Sequence, residues 1–297
     1  MKHIDDVGED GRIQEFRIAL LSSLTIPASC AVELGFMLPQ DVLPSVRLLP
    51  QICNATRLSV GLLFNYHVSL QLSTEDSTVT VSLAVESLRL PGHQGIALSL
   101  RAALPAPDFA SVRKLSIDGM FLHHLCGPRS HSILCAFPRL TLLRVAPRSG
   151  PSDSLGLVSQ NLASMLEALQ VDADGAQTAA AVGPVTCPEL ARLWVDWPRV
   201  REDEDDSCKQ VYDRPPQAVM DSFRELANAR AARGHPFERV FVAHPRQEPM
   251  LGAVAYTVDE YDGAVTRMLK STVLAMDDHM GARLLAQEFA REWDRIE

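Results

Sequence analysis

The chain contains 297 residues, and its hydrophobic content of 46% is sufficient for the core of one elongated domain or of two compact ones. The formal net charge of −9 argues against coating of nucleic acid or of an anionic membrane, so we expect neither as a partner. The polar start MKHIDDVGEDGR is unlike a signal peptide, and the six cysteines contain no CxxC pair. We therefore expect a cytoplasmic or nuclear protein with reduced thiols.

One apolar pattern recurs seven times along the chain, and a proline or glycine soon follows each copy. It consists of an apolar residue, two arbitrary residues, an apolar residue, one arbitrary residue and a last apolar residue. The alternating end is typical of a short strand with one apolar face, which proline or glycine then ends. The copies are Leu21-Leu24-Ile26, Ala55-Leu58-Val60, Val85-Leu88-Leu90, Val112-Leu115-Ile117, Leu140-Leu143-Val145, Leu190-Leu193-Val195 and Phe237-Val240-Val242. The central residues of the second to fifth copies lie 27 to 30 residues apart, close to the period of leucine-rich repeats, while the longer spacings require insertions.

Segments between the copies predict further elements. Within Tyr66–Val85, apolar residues alternate with polar ones on both sides of the polar turn Thr74–Ser77, which predicts an inserted β-hairpin. Apolar residues at three- and four-residue spacing predict helices over Leu157–Gln170 and Gln217–Arg233. Gly234 is a natural end for the second helix. A strand followed by a helix is therefore the predicted repeating unit.

The C-terminal part departs from this pattern. Residues Arg199–Pro216 contain an acidic run and a double proline and predict an exposed loop, while the tail Gly263–Glu297 is predicted to be helical. The sequence thus predicts an α/β fold, an irregular leucine-rich-repeat-like solenoid with an inserted β-hairpin and a helical C-terminal end. Its parts are a polar N-terminal segment at 1–19, the repeat domain at 20–249 with the acidic loop at 199–216, and a helical cap at 250–297. An ordinary α/β domain is the alternative, because the apolar pattern is common in any apolar chain.

Four stretches resemble the C-terminal leucine-rich-repeat region of fungal F-box proteins. They are LLSSLTIPASCAVELGF at Leu20–Phe36, FPRLTLLRVAP at Phe137–Pro147, CPELARLWVDW at Cys187–Trp197 and FRELANARAARGHPFERVFVAH at Phe223–His244. The resemblance implies a protein-interaction module, in which the repeats present a target for ubiquitination or bind a partner. In that family, an N-terminal F-box binds the Skp adaptor of cullin ligases.

The F-box itself is missing from this chain. Its nearest counterpart, Leu38–Leu43, follows the first copy, and Pro44 interrupts its helix. The chain also starts directly before a repeat strand without the polar cap of a solenoid end, so we expect a truncated or misannotated product of a longer gene. The Skp adaptor therefore remains an open partner. A stand-alone scaffold without a ubiquitin role is the alternative, followed by a cryptic hydrolase or metal enzyme.

The residues beside each central apolar position form the candidate partner-binding set. They point away from the core, and on stacked strands they line one sheet face. Arg57, Lys114, Arg192 and Arg239 precede the central residue, while Arg89, Arg144, Trp194 and Phe241 follow it. Arginine rows suit capture of carboxylates from an acidic protein surface, and exposed aromatic rings suit interface anchors. The alternative is an ordinary sheet face with long charged side chains.

Catalytic and metal-binding motifs are absent from the sequence. It contains no GxSxG, GxxxxGK[ST], GxGxxG or HExxH motif, so we expect no enzyme, no catalytic residue and no cofactor. The soft ligands His123, His124, Cys126, His131 and Cys135 have no zinc-finger spacing, and a short helix with one partly buried histidine explains them. The acidic run Glu202–Asp206 lacks the glycine turn of a calcium loop. Residues Asp277–His279 would diverge on a helix. We therefore expect no metal site.

Overall fold

A computed structural model shows that the chain is a mixed α/β protein. The structure describes residues 15–16, 19–20, 22–27, 30–37, 49, 55–63, 67–74, 78–83, 110–118, 133–146, 155–170, 185–198, 200–202, 210–212, 214–246 and 255–274. The strands are β1 (Val32–Met37), β2 (Arg57–Leu63), β3 (His67–Ser73), β4 (Thr78–Leu83), β5 (Lys114–Asp118), β6 (Leu142–Ala146), β7 (Arg192–Asp196), β8 (Val200–Glu202), β9 (Gln210–Tyr212), β10 (Arg239–Arg246), β11 (Ala255–Asp262) and β12 (Met268–Leu274). The helices are α1 (Leu155–Gln170) and α2 (Gln217–Ala232), with a 3-10 turn at Ile133–Ala136. Neither helix has the length and apolar character needed to cross a membrane.

Ten strands form one sheet in the order β1-β4-β3-β2-β5-β6-β7-β10-β11-β12. Its middle is parallel, because β2, β5, β6, β7 and β10 run in the same direction and join in chain order. Antiparallel strands flank this middle, with β3 and β4 on one side and β11 and β12 on the other. Strands β8 and β9 form a separate two-stranded sheet.

The five parallel strands are the second, fourth, fifth, sixth and seventh copies of the apolar pattern. Their central residues lie side by side in register and are all buried, namely Leu58, Leu115, Leu143, Leu193 and Val240. The pattern therefore predicts these strands correctly, because alternating apolar residues need one covered face. The third copy lies outside the described residues.

The first copy is not a strand. Residues Leu24–Ile26 have no regular structure, and the strand β1 begins only at Val32. The hydroxyl of Ser23 donates to the Leu20 carbonyl over 2.7 Å. Leu20, Ser22 and Ser23 are helical, so this bond lies within a helical turn and the chain leaves that turn at Leu24 instead of forming a strand. Leu24 is consequently exposed instead of buried in the sheet.

Both predicted helices are present, and they cover the face of the sheet that holds the central apolar residues. Val158, Leu162 and Met165 of α1 and Phe223 and Leu226 of α2 belong to the same buried cluster as the strands. Helix α2 ends as predicted, since Gly234 has a φ of +82° and follows its last turn. Only glycine adopts this conformation without a steric penalty.

The predicted hairpin is also confirmed. Strands β3 and β4 pair antiparallel with Leu70 opposite Val81, and they extend the sheet beyond β2 instead of standing apart from it. The acidic segment 199–216 contains the β8–β9 pair, so it is not wholly a loop. Residues 203–209, which include most of the acidic run, lie outside the described residues.

The helical prediction is wrong for the described part of the C-terminal tail. Strand β11 follows β10, and β12 returns beside it through a turn at Asp262. The Asp262 carboxylate fixes this turn, because it accepts the backbone N–H and the hydroxyl of Thr266, each over 2.8 Å. Gly263 lies so close to the Phe237 carbonyl oxygen that a Cβ would overlap it. The predicted continuation at 275–297 lies outside the described residues.

Candidate functional site

The residues that flank the central apolar positions lie on the sheet face opposite the helices, which we call the outer face. On β7 these are Arg192, Trp194 and Asp196, and on β10 they include Arg239 and Phe241. Helix residues and central strand residues form one core cluster, and none of these five side chains belongs to it. The outer face is thus the part of the sheet on which the candidate binding residues meet.

Strand register places the candidates in two rows. The first row consists of Arg57, Lys114, Leu142, Arg192 and Arg239 on five successive strands. The second consists of Ser59, Ser116, Arg144, Trp194 and Phe241 on the same strands. Adjacent strands lie about 4.8 Å apart, so neighbours within a row are in reach of each other. Seven of the eight candidates are therefore on one face, while Arg89 lies outside the described residues.

Asp196 organises the centre of the outer face. Its Oδ2 accepts from Arg144 Nε over 2.8 Å, and its Oδ1 accepts from the indole N–H of Trp194 over 2.6 Å. The three side chains come from β6 and β7 and fix one another's orientation. Arg144 and Asp196 are both largely shielded from solvent, which strengthens the charge-assisted bond.

The two aromatic candidates form a buried stack. The rings of Trp194 and Phe241 have centroids 5.4 Å apart and planes inclined by 22°. Trp194 is only 1% exposed and Phe241 only 7% exposed. The expectation of exposed aromatic anchors is therefore wrong. Because the rings stack and Asp196 holds the indole, this pair forms a rigid aromatic base beside Arg192 and Arg239, which lie in the neighbouring row of the same face.

The remaining arginines of β7 and β10 have acidic neighbours. Arg192 Nε lies 3.4 Å from a Glu238 carboxylate oxygen, and Arg239 Nε donates to Glu260 over 2.9 Å. Arg239 and Glu238 are exposed, whereas Arg192 and Glu260 are partly exposed. The outer face is therefore a pattern of alternating charges at β7, β10 and β11, not a purely basic stripe.

A buried arginine supports this surface from the helix side. Arg230 of α2 donates to the carbonyl oxygens of Thr186 over 3.0 Å and Cys187 over 2.9 Å. Its guanidinium also lies over the ring of Phe237, 5.1 Å from the centroid. Burial lowers the pKa of Arg230, because the charged form loses its hydration. This side chain thereby anchors the loop that leads into β7.

A second polar cluster lies where β10, β11 and β12 meet on the helix-side face. Asp259 Oδ2 lies 3.0 Å from His244 Nε2, and Asp259 Oδ1 accepts from the Ser271 hydroxyl over 2.6 Å. His244 and Asp259 are both buried. The carboxylate stands between serine and histidine, which sit two strands and roughly 10 Å apart. Nucleophilic catalysis requires the imidazole beside the hydroxyl, so this order does not form a serine-activating triad.

The same cluster affects a neighbouring phenol. Tyr261 packs against the core two residues after Asp259. Burial raises the pKa of Tyr261, and the Asp259 charge raises it further. Both effects disfavour the phenolate, since one removes water and the other adds like-charge repulsion. Tyr261 is thus favoured as the neutral phenol.

Several residues of these clusters were not predicted from sequence. Asp196 and Glu260 sit on the outer face beside predicted candidates, and the period-two alternation after Trp194 is the signal that identifies Asp196. Asp259 and Glu260 had no such signal, because β11 was not predicted as a strand. His244 lies on the predicted strand β10, but its role depends on Asp259 of β11. The arrangement could be recognised only from the pairing of β10 with β11.

No group of three or more metal-binding side chains is present among the described residues. The sequence cluster His123, His124, Cys126 and His131 lies outside them, as do Asp277–His279, and of the Cys135 site only the backbone is described. No protein-family model matches the chain, and no curated protein or solved structure matches it either.

Proposed function

We propose that the chain is a protein-interaction module whose outer face binds a protein partner with an acidic surface. The observation that carries the proposal is the pair Arg192 and Arg239, which lie directly opposite each other on β7 and β10. Both guanidinium groups reach solvent at least in part, and they lie together on one side of the buried Trp194–Phe241 stack, two residues earlier on each strand. This arrangement supports a preorganised binding site in which the two guanidinium groups donate to the carboxylates of a partner.

The ion pairs on the outer face leave room for a partner. Exposed salt bridges contribute only about 0–1 kcal/mol each. The Arg239–Glu260 pair and the longer Arg192–Glu238 pair belong to this class. A partner carboxylate can therefore displace Glu238 or Glu260 at small cost and form a bidentate contact with the freed guanidinium. The rigid aromatic base limits the conformational entropy lost on binding.

We also propose that the repeat character extends to an irregular leucine-rich-repeat-like solenoid. Supporting it are the five parallel strands that join the sheet in chain order and the two helices that follow β6 and the β8–β9 pair. Both helices cover the same face. In a solenoid each unit contacts its sequence neighbours in this way and leaves the opposite strand face available for binding.

The proposal is tested by affinity purification of the tagged chain with quantitative mass spectrometry. The variant combines Arg192→Glu with Arg239→Glu. The control combines Arg139→Glu with Arg233→Glu, which is an equal change of charge at two exposed residues in turns. We expect the double variant to lose about 90% of its specific partner, equivalent to about 1.4 kcal/mol in binding. The control should retain it. A partner recovered equally with all three chains would refute binding through the outer face.

The narrower proposal is that this partner is a target presented to an F-box type ubiquitin ligase. It rests on the sequence resemblance alone and predicts that the Skp adaptor and cullin co-purify with the chain. A stable partner without these two proteins would favour the alternative, a stand-alone scaffold. The least favoured alternative is a cryptic hydrolase or metal enzyme. The cluster of His244, Asp259 and Ser271 does not support the hydrolase, because the Asp259 carboxylate separates the hydroxyl from the imidazole.

A further inference from the structure

Three charged side chains alternate in sign across the antiparallel end of the outer face. Glu260 of β11 lies diagonally across from Arg239 of β10 and directly opposite Lys270 of β12. Ser271, the next residue of β12, donates to Asp259 on the helix-side face, so Lys270 lies on the outer face by the alternation of the strand. One carboxylate thus has a cation on each side.

Of these two cations, Arg239 is the one that pairs with the Glu260 carboxylate. Glu260 Oε1 accepts from Arg239 Nε over 2.9 Å, while Arg239 Nη1 donates to the backbone carbonyl of Glu238 over 2.9 Å. The side chains of Arg239 and Glu260 are 47% and 27% exposed, so a ligand can reach the pair. Lys270 is exposed and forms no ion pair with any residue that the structure describes. Glu260 therefore holds the position at Arg239 that a partner carboxylate is proposed to take, beside a second cation.

We propose that Glu260 is an internal competitor of the acidic partner, and that its carboxylate moves to Lys270 when a partner carboxylate binds Arg239. Lys270 thereby determines the affinity of the outer face although it does not touch the partner. The inference rests on the proposed function, because both concern the same guanidinium group. It adds the regulation of that site by a residue of β12.

The strand register allows this transfer without movement of the backbone. Directly opposed residues on antiparallel strands have Cβ atoms about 4.5–5.5 Å apart, and opposite charges at such positions attract. A displaced Glu260 that stayed beside Arg239 would instead repel the incoming carboxylate, since charges this close are poorly screened by physiological salt, whose Debye length is about 8 Å. A change in the side-chain rotamers of Glu260 and Lys270 is therefore sufficient, and the exchange leaves both cations paired.

A double-mutant cycle tests the transfer, with fluorescein-labelled hexaglutamate as the probe and fluorescence anisotropy as the measure of binding. Glu260→Gln should bind the peptide about threefold more tightly than the native chain, in line with the small contribution of an exposed ion pair. Lys270→Gln should bind it about threefold more weakly, because the displaced carboxylate has lost its cation. In the Glu260→Gln background, Lys270→Gln should change the affinity by less than about 1.5-fold, because no carboxylate remains to be transferred.

Arg267→Gln and Glu225→Gln are the matched controls, since each removes one charge of the same sign at an exposed residue. Both should leave the affinity within about 1.5-fold of the native chain at an ionic strength of about 0.15 M.

The outcomes separate the inference from the proposed function. A loss of equal size for Lys270→Gln in both backgrounds would indicate general attraction of the peptide, and it would overturn the transfer while leaving binding at the outer face intact. An affinity unchanged by Glu260→Gln would overturn the role of Glu260 as a competitor in the same way. A peptide that binds neither the native chain nor Glu260→Gln would refute the proposed function, and the inference with it.

Discussion

Replacement of Arg230 should reveal how much of the fold depends on one buried cation. The guanidinium donates to the carbonyl oxygens of Thr186 and Cys187, with a longer contact of 3.5 Å to Leu190. In Arg230→Ala these carbonyls lose their donors, and the loop that leads into β7 loses its anchor. We therefore expect a marked loss of stability from a residue that lies 1% exposed on a helix.

The magnitude follows from opposing terms. Hydrogen bonds to a charged group contribute about 1.5–3 kcal/mol each, so the two shorter bonds account for about 3–6 kcal/mol. Burial of the charge opposes this gain, as the lowered pKa of Arg230 indicates. Its Nε also has no acceptor among the described residues. The net loss on Arg230→Ala should accordingly be about 3 kcal/mol. Arg230→Lys should recover little of it, because an ammonium cannot span the same carbonyls.

Urea denaturation followed by tryptophan fluorescence measures this loss, with Arg233→Ala as the control. Arg233 is exposed at the end of the same helix, so its replacement should change the free energy of unfolding by less than about 0.5 kcal/mol. Hydrogen exchange should locate the destabilisation in residues 185–191, ahead of β7. A loss below about 1 kcal/mol for Arg230→Ala, or an equal loss in the control, would refute the anchoring role.

Three further substitutions test the turns of the structure. Gly263→Ala forces a Cβ into the Phe237 carbonyl oxygen, and thermal denaturation should show a loss of at least about 2 kcal/mol. Gly234→Ala meets no atom but retains the φ of +82°, so its loss should be smaller, about 1 kcal/mol; the reverse ranking would contradict both. Hydrogen bonds from Thr266 lower the pKa of Asp262 in the folded chain below the ordinary value of 3.8. The ionised Asp262 carboxylate therefore stabilises the fold above that ordinary value, and this stabilisation disappears as the pH falls through the lower pKa of the folded chain. The stability difference between the native chain and Asp262→Ala should thus shrink under strong acid, and a difference that grows there would be inconsistent with this sign.

The parallel half of the fold was predictable because its burial is one-sided. At β2, β5, β6, β7 and β10, alternation of apolar and polar residues carries the information that a half-covered strand requires. The helices α1 and α2 were found for the corresponding reason, since their apolar residues recur at helical spacing. Local periodicity suffices wherever one face of an element is apolar.

The antiparallel end was not predictable from the same signal. In β11, the positions that face the helix side hold Thr257, Asp259 and Tyr261, so polar residues occupy places where the pattern would require apolar ones. They are tolerated because His244 and Ser271 satisfy the Asp259 carboxylate. A partner 12 or 15 residues away is invisible to periodicity. The seven candidate side chains could be assigned to the outer face because alternation within each strand determines which face a residue occupies. Their ion pairs could not be predicted, because the acidic partner of Arg239 lies on the neighbouring strand β11.

The ion pairs of the outer face differ in how easily a carboxylate of a partner can replace the acidic member of the pair. The carboxylate of Asp196 is held by both Arg144 and Trp194, so an incoming carboxylate would have to break two bonds and uncover a buried ring. Glu260 accepts from Arg239 at an exposed position, where exchange is inexpensive. Charge reversal at Arg144 should therefore lower stability as well as binding, whereas reversal at Arg239 should lower binding alone. The binding surface that follows from this difference is centred on β10 and its neighbour β7, with the Arg144–Asp196 pair as part of its support.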